Sequence, residues 1–239
     1  MYSSAFCRVY NEFGWNVYPE VFAGQLLRML EREGIRAETA LDLGCGTGVL
    51  CQALASHGID ARGVDLSEGM ISLARSRAPS LRFETGDMVT WRTQERFDLV
   101  TCTGDALNHV FEPDDVRRIF ENVYAMLSSG GLFVFDLLGE GEIPDDEPFP
   151  LDYSESVRAV FRTVREQGNA VRLSISVYEN GALSFEETIL EKLHPIEEVL
   201  GLLRETGFAV LRCGHRLSDE EGADAAAWFV TAEKGREHA

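Results

Sequence analysis

Between Thr39 and Phe135 the chain alternates short apolar runs with segments whose apolar residues recur every three or four positions. Short continuous runs read as buried strands of a parallel sheet, and the 3.6-period segments as helices packed on its faces. The strands predicted are Ala40–Leu43, Ala61–Val64, Leu81–Phe83, Phe97–Cys102 and Leu132–Phe135. Helices are predicted from Gly48 to His57, Glu68 to Arg77 and Pro113 to Leu127. The last of these puts Val116, Ile119, Phe120, Val123, Met126 and Leu127 on one face. Pro113 suits the first helical position, Asp114 and Asp115 favour the positive end of the helix dipole, and Gly130-Gly131 follows the stop.

Past Phe135 the pattern changes. An acidic, proline-bearing stretch from Gly139 to Pro150 leads into a period of two, with Val171, Leu173, Ile175 and Val177 alternating with polar residues. Gly168-Asn169 and Asn180-Gly181 are turn signals, so three strands near Ser156–Glu166, Ala170–Tyr178 and Ala182–Leu193 are predicted to form a meander. A sheet of about 40 residues with one apolar face is marginal alone. It is therefore expected to lie on the main domain or on another subunit. A helix from Pro195 to Thr206, closed by Gly207, and strands at Phe208–Cys213 and Ala227–Ala232 return the chain to its earlier character.

The expected fold is α/β: a Rossmann-like, mostly parallel seven-stranded sheet with helices on both faces, plus an inserted antiparallel β-sheet. The expected division is an N-terminal aromatic helical segment (1–38), an α/β core (39–138), the inserted meander (139–193) and a C-terminal completion of the core (194–239).

Composition narrows the function. With 239 residues and 45% hydrophobic content the chain can bury a full core. Lys and Arg number 22 against 40 Asp and Glu, a net charge of -18, which argues against nucleic acid and acidic membrane surfaces as partners. The blocks Glu142–Glu147 and Asp219–Glu221 carry much of that excess and read as solvated surface. Cys7, Cys45, Cys51, Cys102 and Cys213 are scattered and lack CxxC spacing, against a disulfide framework or a zinc site. No apolar run approaches the roughly 20 residues that span a bilayer, and the N-terminus lacks the basic-then-apolar pattern of a signal peptide. The expected location is cytoplasmic.

The most informative segment is Leu41-Asp42-Leu43-Gly44-Cys45-Gly46-Thr47-Gly48, between a strand and a helix, where glycines allow a sharp turn and close approach to a ligand. Asp65 ends the next strand, 19 positions after Gly46, where a carboxylate can accept both hydroxyls of a ribose. Together they indicate an adenosine-containing cofactor. A dehydrogenase loop reads GxGxxG, whereas here the third glycine, Gly48, comes one residue early and Val49 holds the dehydrogenase position.

LDLGCGTG, followed by GVDLSEGM and GDM, resembles the class I S-adenosylmethionine-dependent methyltransferases over roughly Ala40 to Phe135. The resemblance implies S-adenosyl-L-methionine as cofactor, with the loop through Gly48 around it and the backbone at Gly44, Cys45 and Gly46 along the methionine portion. It implies Asp65 on the ribose, Leu66 against the adenine, and Asp87, beside Met88, receiving the adenine amino group. Cys102 and Thr103 resemble positions that line the methionine end.

Methyl transfer is an in-line displacement in which positioning carries much of the catalysis, and an amine or hydroxyl acceptor can also require a base. His109, in Thr103-Gly104-Asp105-Ala106-Leu107-Asn108-His109, leaves the carboxyl end of the fourth strand and is the base candidate. A histidine there can equally cap or pack against the following helix. Asp105 is a candidate for orienting the acceptor or contacting the cofactor amino group, or for a plain loop or cap role. Tyr2, Phe6, Tyr10, Phe13, Trp15 and Tyr18 are dense enough to form an aromatic lid, or simply to pack in a core. Related small-molecule methyltransferases place a tyrosine of an N-terminal helix over the site, which makes Tyr10, or Tyr18, the catalytic candidate. His57, His194, His215 and His238 read as incidental, and no carboxylate–histidine spacing suggests a metal.

The GDALNHV loop, the aromatic N-terminus and the inserted sheet together resemble small-molecule N- or O-methyltransferases, in which such a sheet covers the site and can join subunits, allowing for a homodimer. The expected partner is a small-molecule acceptor. The alternatives are a protein or RNA methyltransferase and a non-catalytic cofactor-binding protein.

Overall fold

The computed structural model describes residues 2–139, 146–215 and 227–235. Residues 140–145, and with them most of the block Glu142–Glu147, lie outside the described residues, as do Asp219–Glu221 and His238. In chain order the elements are α1 (Ser4–Val9), α2 (Val17–Arg32), β1 (Thr39–Leu43), α3 (Val49–Ser56), β2 (Asp60–Asp65), α4 (Glu68–Arg77) and β3 (Arg82–Thr85). There follow β4 (Phe97–Cys102), a 3-10 turn (Ala106–His109), α5 (Pro113–Met126), β5 (Leu127–Leu138), β6 (Phe149–Asp152), β7 (Val157–Glu166) and β8 (Ala170–Glu179). β9 (Ala182–Lys192), α6 (Ile196–Thr206), β10 (Phe208–Gly214) and β11 (Ala227–Lys234) complete the described chain.

The strands form a seven-stranded sheet in the order β10-β11-β5-β4-β1-β2-β3 and a separate four-stranded sheet in the order β6-β7-β8-β9. In the large sheet β1 pairs in parallel with β2 and β4, β2 with β3, and β4 with β5, while β11 runs antiparallel to β5 and β10. Successive strand residues point to opposite faces, and both faces are buried. Leu41, Leu43, Val100, Phe133 and Phe135 meet α5 and α6, whereas Ala40, Leu99, Leu132 and Val134 meet α2, α3 and α4. This two-sided burial is why the strands read as continuous apolar runs. It also makes α2, through Phe22, Leu26 and Met29, a layer of the main core.

The helix after β4 shows how local sequence supports the packing. Pro113 starts it, Asp114 and Asp115 occupy its first turn, and Val116, Ile119, Phe120, Val123 and Met126 are all buried. Each such side chain contributes about 1.5–3 kcal/mol relative to exposure; Phe120→Ala is expected to cost about 3–5 kcal/mol.

Two details differ from the sequence pattern. Gly130-Gly131 lies inside a strand, not in a loop, because β5 begins directly after α5, with Leu127 opposite Phe97. The register shifts between Phe97 and Leu99, and Gly130 takes φ 76, so the glycines sit at an irregularity of the ladder. The small sheet has a fourth strand, β6, within the proline-bearing stretch. Pro150 is tolerated there because β6 is an edge strand with a free side.

The small sheet does not stand alone. Ala159, Ile175, Val177 and Ile189 on one face pack against Phe6 and Phe13, with Tyr2, Tyr10 and Trp15 alongside. Phe13 stacks on Tyr153 at 4.1 Å, and Phe6 meets Trp15 edge-on at 5.0 Å. Ser3 adds a polar tie: its amide and hydroxyl donate to the buried Glu187 carboxylate of β9.

Candidate active site

At the carboxyl ends of the parallel strands lies a cavity of about 1070 Å³, closed on one side by the small sheet and by Tyr2, Tyr10, Trp15 and Tyr18. Open α/β sheets place their ligands at this end, and the volume exceeds what a single small ligand requires.

One wall is built from turns. After β1 the chain turns through Gly44, with φ 73, where a Cβ would meet that of Ala106 at 2.7 Å. Gly46 then turns toward open space, with no atom within 4 Å of where its Cβ would stand. Its amide donates to the Asp65 carboxylate at 2.8 Å, and the Ser67 amide donates to the other oxygen at 2.8 Å. A carboxylate has about four acceptor sites, so Asp65 keeps two for the cavity. Burial raises its pKa, opposed by the bonds from Ser67 and Gly46. Asp87 repeats the device one strand along, accepting from the Val89 amide at 2.8 Å. Leu66, 49% exposed, and Met88 add apolar surface.

The opposite wall is assembled from distant segments. Asp136, at the end of β5, accepts from the Tyr18 hydroxyl, the Gly104 amide at 3.0 Å and the Asp105 amide at 2.8 Å. Asn108 is fully buried; its amide group donates to the carbonyls of Leu138 and Lys192, and its oxygen accepts from the Leu138 amide. These bonds clamp the turn after β4 to the ends of both sheets. The clamp brings Asp105, His109 and Glu191 together, with one ligand atom of each within 4.8 Å of the others.

His109 Nε2 lies 3.3 Å from the Tyr2 hydroxyl. Desolvation by the surrounding protein lowers the His109 pKa, with a backbone hydrogen bond to Leu190 pulling the other way. Burial, then the charge of Asp105, keeps the Tyr2 phenol protonated and able to donate. The ring is therefore a neutral base at pH 7. Burial also raises the pKa of Asp105, reinforced by Glu191 and Asp136, and that of Glu191. Between the walls Asp42 accepts from the Thr101 hydroxyl at 2.7 Å, and burial pushes its pKa up to about 7.

Of the residues expected from sequence, Gly44, Cys45, Gly46, Asp65, Leu66, Asp87, Met88, Thr103, Asp105, His109 and Tyr10 line this one cavity. Gly48 and Cys102 do not. Gly48 takes φ 76 where a Cβ would strike Phe83 at 2.6 Å, so its role is close helix–strand packing. Cys102 is fully buried and points into the core beneath α5. His57, His194 and His215 bond backbone carbonyls and do not themselves line the cavity. Glu191, Asp136, Asp42 and Asn108 have no role in the expected site, and Tyr2 enters it only as one of the lid aromatics. For Asp136 and Asp42 a signal existed, since each carboxylate interrupts an apolar strand. Glu191 carries none.

A sheet of this order, with a glycine turn and a carboxylate at the ends of its first two strands, defines an adenosine-binding α/β protein. A methyltransferase-domain family profile matches residues 40–131. The chain is 30% identical over 209 residues to YqeM of Bacillus subtilis (strain 168), a methyltransferase by name, covering 82% of this chain and 84% of that protein. It is 34% identical over 134 residues to a Geobacillus sp. (strain WCH70) protein also named as a methyltransferase, covering 54% of this chain and about half, 53%, of that one. Among solved structures, an S-adenosylmethionine-dependent methyltransferase of Clostridium acetobutylicum superposes with a TM-score of 0.83 at 22% identity, covering 97% of this chain and 98% of that one. An amino pentose methyltransferase of Micromonospora echinaspora, solved with S-adenosylmethionine bound, gives 0.76 at 24% identity, with coverage of 97% and 98%. The chain belongs to the class I S-adenosylmethionine-dependent methyltransferases.

Proposed function

We propose that this enzyme methylates a nitrogen or oxygen atom of a small molecule, with His109 as base. The observation that carries the reading is the single cavity with Asp65 and Asp87 on one wall and His109 on the other. The turn wall fits S-adenosylmethionine: Asp65 has two acceptor sites for ribose hydroxyls, Asp87 can accept from the adenine amino group, and Leu66 and Met88 offer faces to the purine. Gly44, Cys45, Gly46 and Thr103 flank the methionine portion. When bound, this cofactor supplies an electrophilic methyl group; the acceptor's lone pair forms the new bond as the carbon–sulfur pair leaves with sulfur.

The chain's own residues then have three tasks. His109 takes the acceptor's proton at Nε2, because its lowered pKa leaves it neutral near pH 7. Asp136 and Asn108 hold the turn that carries Asp105 and His109. Tyr2, Tyr10 and Trp15, backed by the small sheet, exclude water from the reacting atoms. A cavity closed by these rings suits a small acceptor better than a polymer, and the amino pentose enzyme among the neighbours supports the same class.

The test is transfer of tritiated methyl from S-adenosylmethionine into separate pools of small amines, small alcohols, RNA and protein. Label in the small-molecule pools supports the reading. Label confined to RNA or protein overturns it.

A further inference from the structure

Two carboxylates without hydrogen-bond partners among the described residues meet on the acceptor wall beside the His109 ring, which is held by Tyr2 and Leu190. One oxygen each of Asp105 and Glu191 and one ring nitrogen of His109 lie within 4.8 Å of one another. Points that close share a centre no more than about 2.8 Å from each, an ordinary hydrogen-bond length. A primary ammonium carries three N–H donors and no acceptor, so it matches such a triad donor for acceptor. Glu191 is 8% exposed, lines the cavity, and its side chain makes no hydrogen bond or ion pair with any described residue. Its carboxylate opens onto the cavity, where burial disfavours the charged form and a cation joining it offsets that cost. The surroundings have the same sign: the cavity lining includes six aspartates and two glutamates and, among the described residues, no lysine or arginine.

We infer that Asp105 and Glu191 bind the methyl acceptor as its ammonium cation beside His109, so the acceptor is a primary or secondary amine bearing no carboxylate or phosphate inside the cavity. The inference rests on the methyltransferase reading above and narrows it from nitrogen or oxygen to nitrogen. The two carboxylates hold the cation in place, and His109 removes the proton that frees the nitrogen lone pair. Burial raises both carboxyl pKa values, and the charges of Glu191 and Asp136 raise that of Asp105 further. The small sheet thereby contributes directly to the site, because Glu191 is carried by β9 and fixed by the Asn108 bond to the neighbouring Lys192 carbonyl.

The test compares cyclohexylamine, cyclohexanol and cyclohexanecarboxylate, three probes of one ring size, by ligand-observed NMR on the full chain saturated with S-adenosylhomocysteine. The amine is expected to bind at least tenfold more tightly than the alcohol, and the carboxylate not at all. Glu191→Gln should weaken the amine about tenfold while leaving S-adenosylhomocysteine affinity unchanged. Asp105→Asn should do the same, since asparagine tolerates the left-handed φ of 53 at that position. Equal binding of amine and alcohol, binding of the carboxylate, or amine binding unaltered by both substitutions overturns the inference. So does tight Mn2+ binding that Glu191→Gln abolishes and that displaces the amine, which assigns the triad to a metal. Failure of S-adenosylhomocysteine itself to bind is a different result: it removes the methyltransferase reading beneath.

Discussion

The two walls of the cavity are made in different ways. On the donor side the groups sit on adjacent strand-end turns: Asp65 accepts from the amide two residues on and from Gly46 at the end of the paired strand, and Asp87 accepts from Val89. The acceptor side has no such local unit. Asp105 and His109 come from the turn after β4, Asp136 from β5, Glu191 from β9 and Tyr2 from the N-terminal segment, joined through Asn108, Tyr18 and the Ser3–Glu187 tie. A wall of local turns binds one constant ligand. A wall assembled from separate segments can change one strand or loop, and with it the acceptor, while the donor side stays as it is.

The strongest way to break this comparison is His109→Ala. General bases contribute roughly 10²- to 10⁴-fold, so turnover should fall by that order, with S-adenosylhomocysteine affinity by calorimetry within about twofold of the parent. Undiminished turnover would remove His109 as base. A matching loss of donor affinity would mean that the walls are not separable.

Next in size is a pH effect located between the walls. Asp42 has a folded pKa of about 7, against about 3.9 in an unfolded chain. Between these values the folded state holds a proton that the unfolded state has released, so this contribution to stability is complete below about pH 4 and is lost as pH rises through 7. Three units correspond to at most about 4 kcal/mol. Asp105, Glu191, Asp136 and Asp65 shift in the same direction. Thermal melts of the ligand-free protein should therefore show lower stability at pH 8 than at pH 5, and Asp42→Asn should flatten part of that slope. An unchanged slope in the variant would show that Asp42 ionises normally.

Asp65→Ala acts on the donor wall alone. It removes a charged acceptor, and hydrogen bonds to charged groups contribute about 1.5–3 kcal/mol, so S-adenosylhomocysteine should bind roughly 10- to 100-fold more weakly. The aromatic packing on the small sheet, followed by tryptophan fluorescence of Trp15, should not change. Retained affinity would take the ribose away from Asp65.

These contrasts also explain what the sequence disclosed. The large sheet is legible because its strands are buried on both faces and its helices on one, so period and burial agree. The donor wall is legible because Asp65 and Asp87 each accept from the amide two residues on, and the glycine turn meets Asp65 across a single strand pairing. Glu191 is not: in Glu187-Thr188-Ile189-Leu190-Glu191-Lys192 a carboxylate on an alternating strand looks solvent-facing, and it takes the N-terminal aromatics over Ile189 and the turn clamped by Asn108 to make that face an interior. Cys102 and Thr103 show the limit from the other side. They are adjacent in sequence, yet only Thr103 lines the cavity, while Cys102 is packed in the core beneath α5.

Tyr18→Phe should give the smallest effect and the sharpest division. Asp136 is buried, and the phenol is one of three donors to it; the amides of Gly104 and Asp105 remain when it is removed. Because two bonds survive, the cost should lie at the low end for a hydrogen bond to a charged group, about 1.5 kcal/mol, seen as a thermal shift of a few degrees. Turnover should fall several-fold, since the turn bearing Asp105 and His109 loses one of its ties. Donor affinity should not move, because no atom of Asp65, Asp87 or the glycine turn is bonded to Tyr18. If donor affinity falls in parallel with turnover, Asp136 holds both walls at once, and the acceptor side cannot vary independently of the donor side.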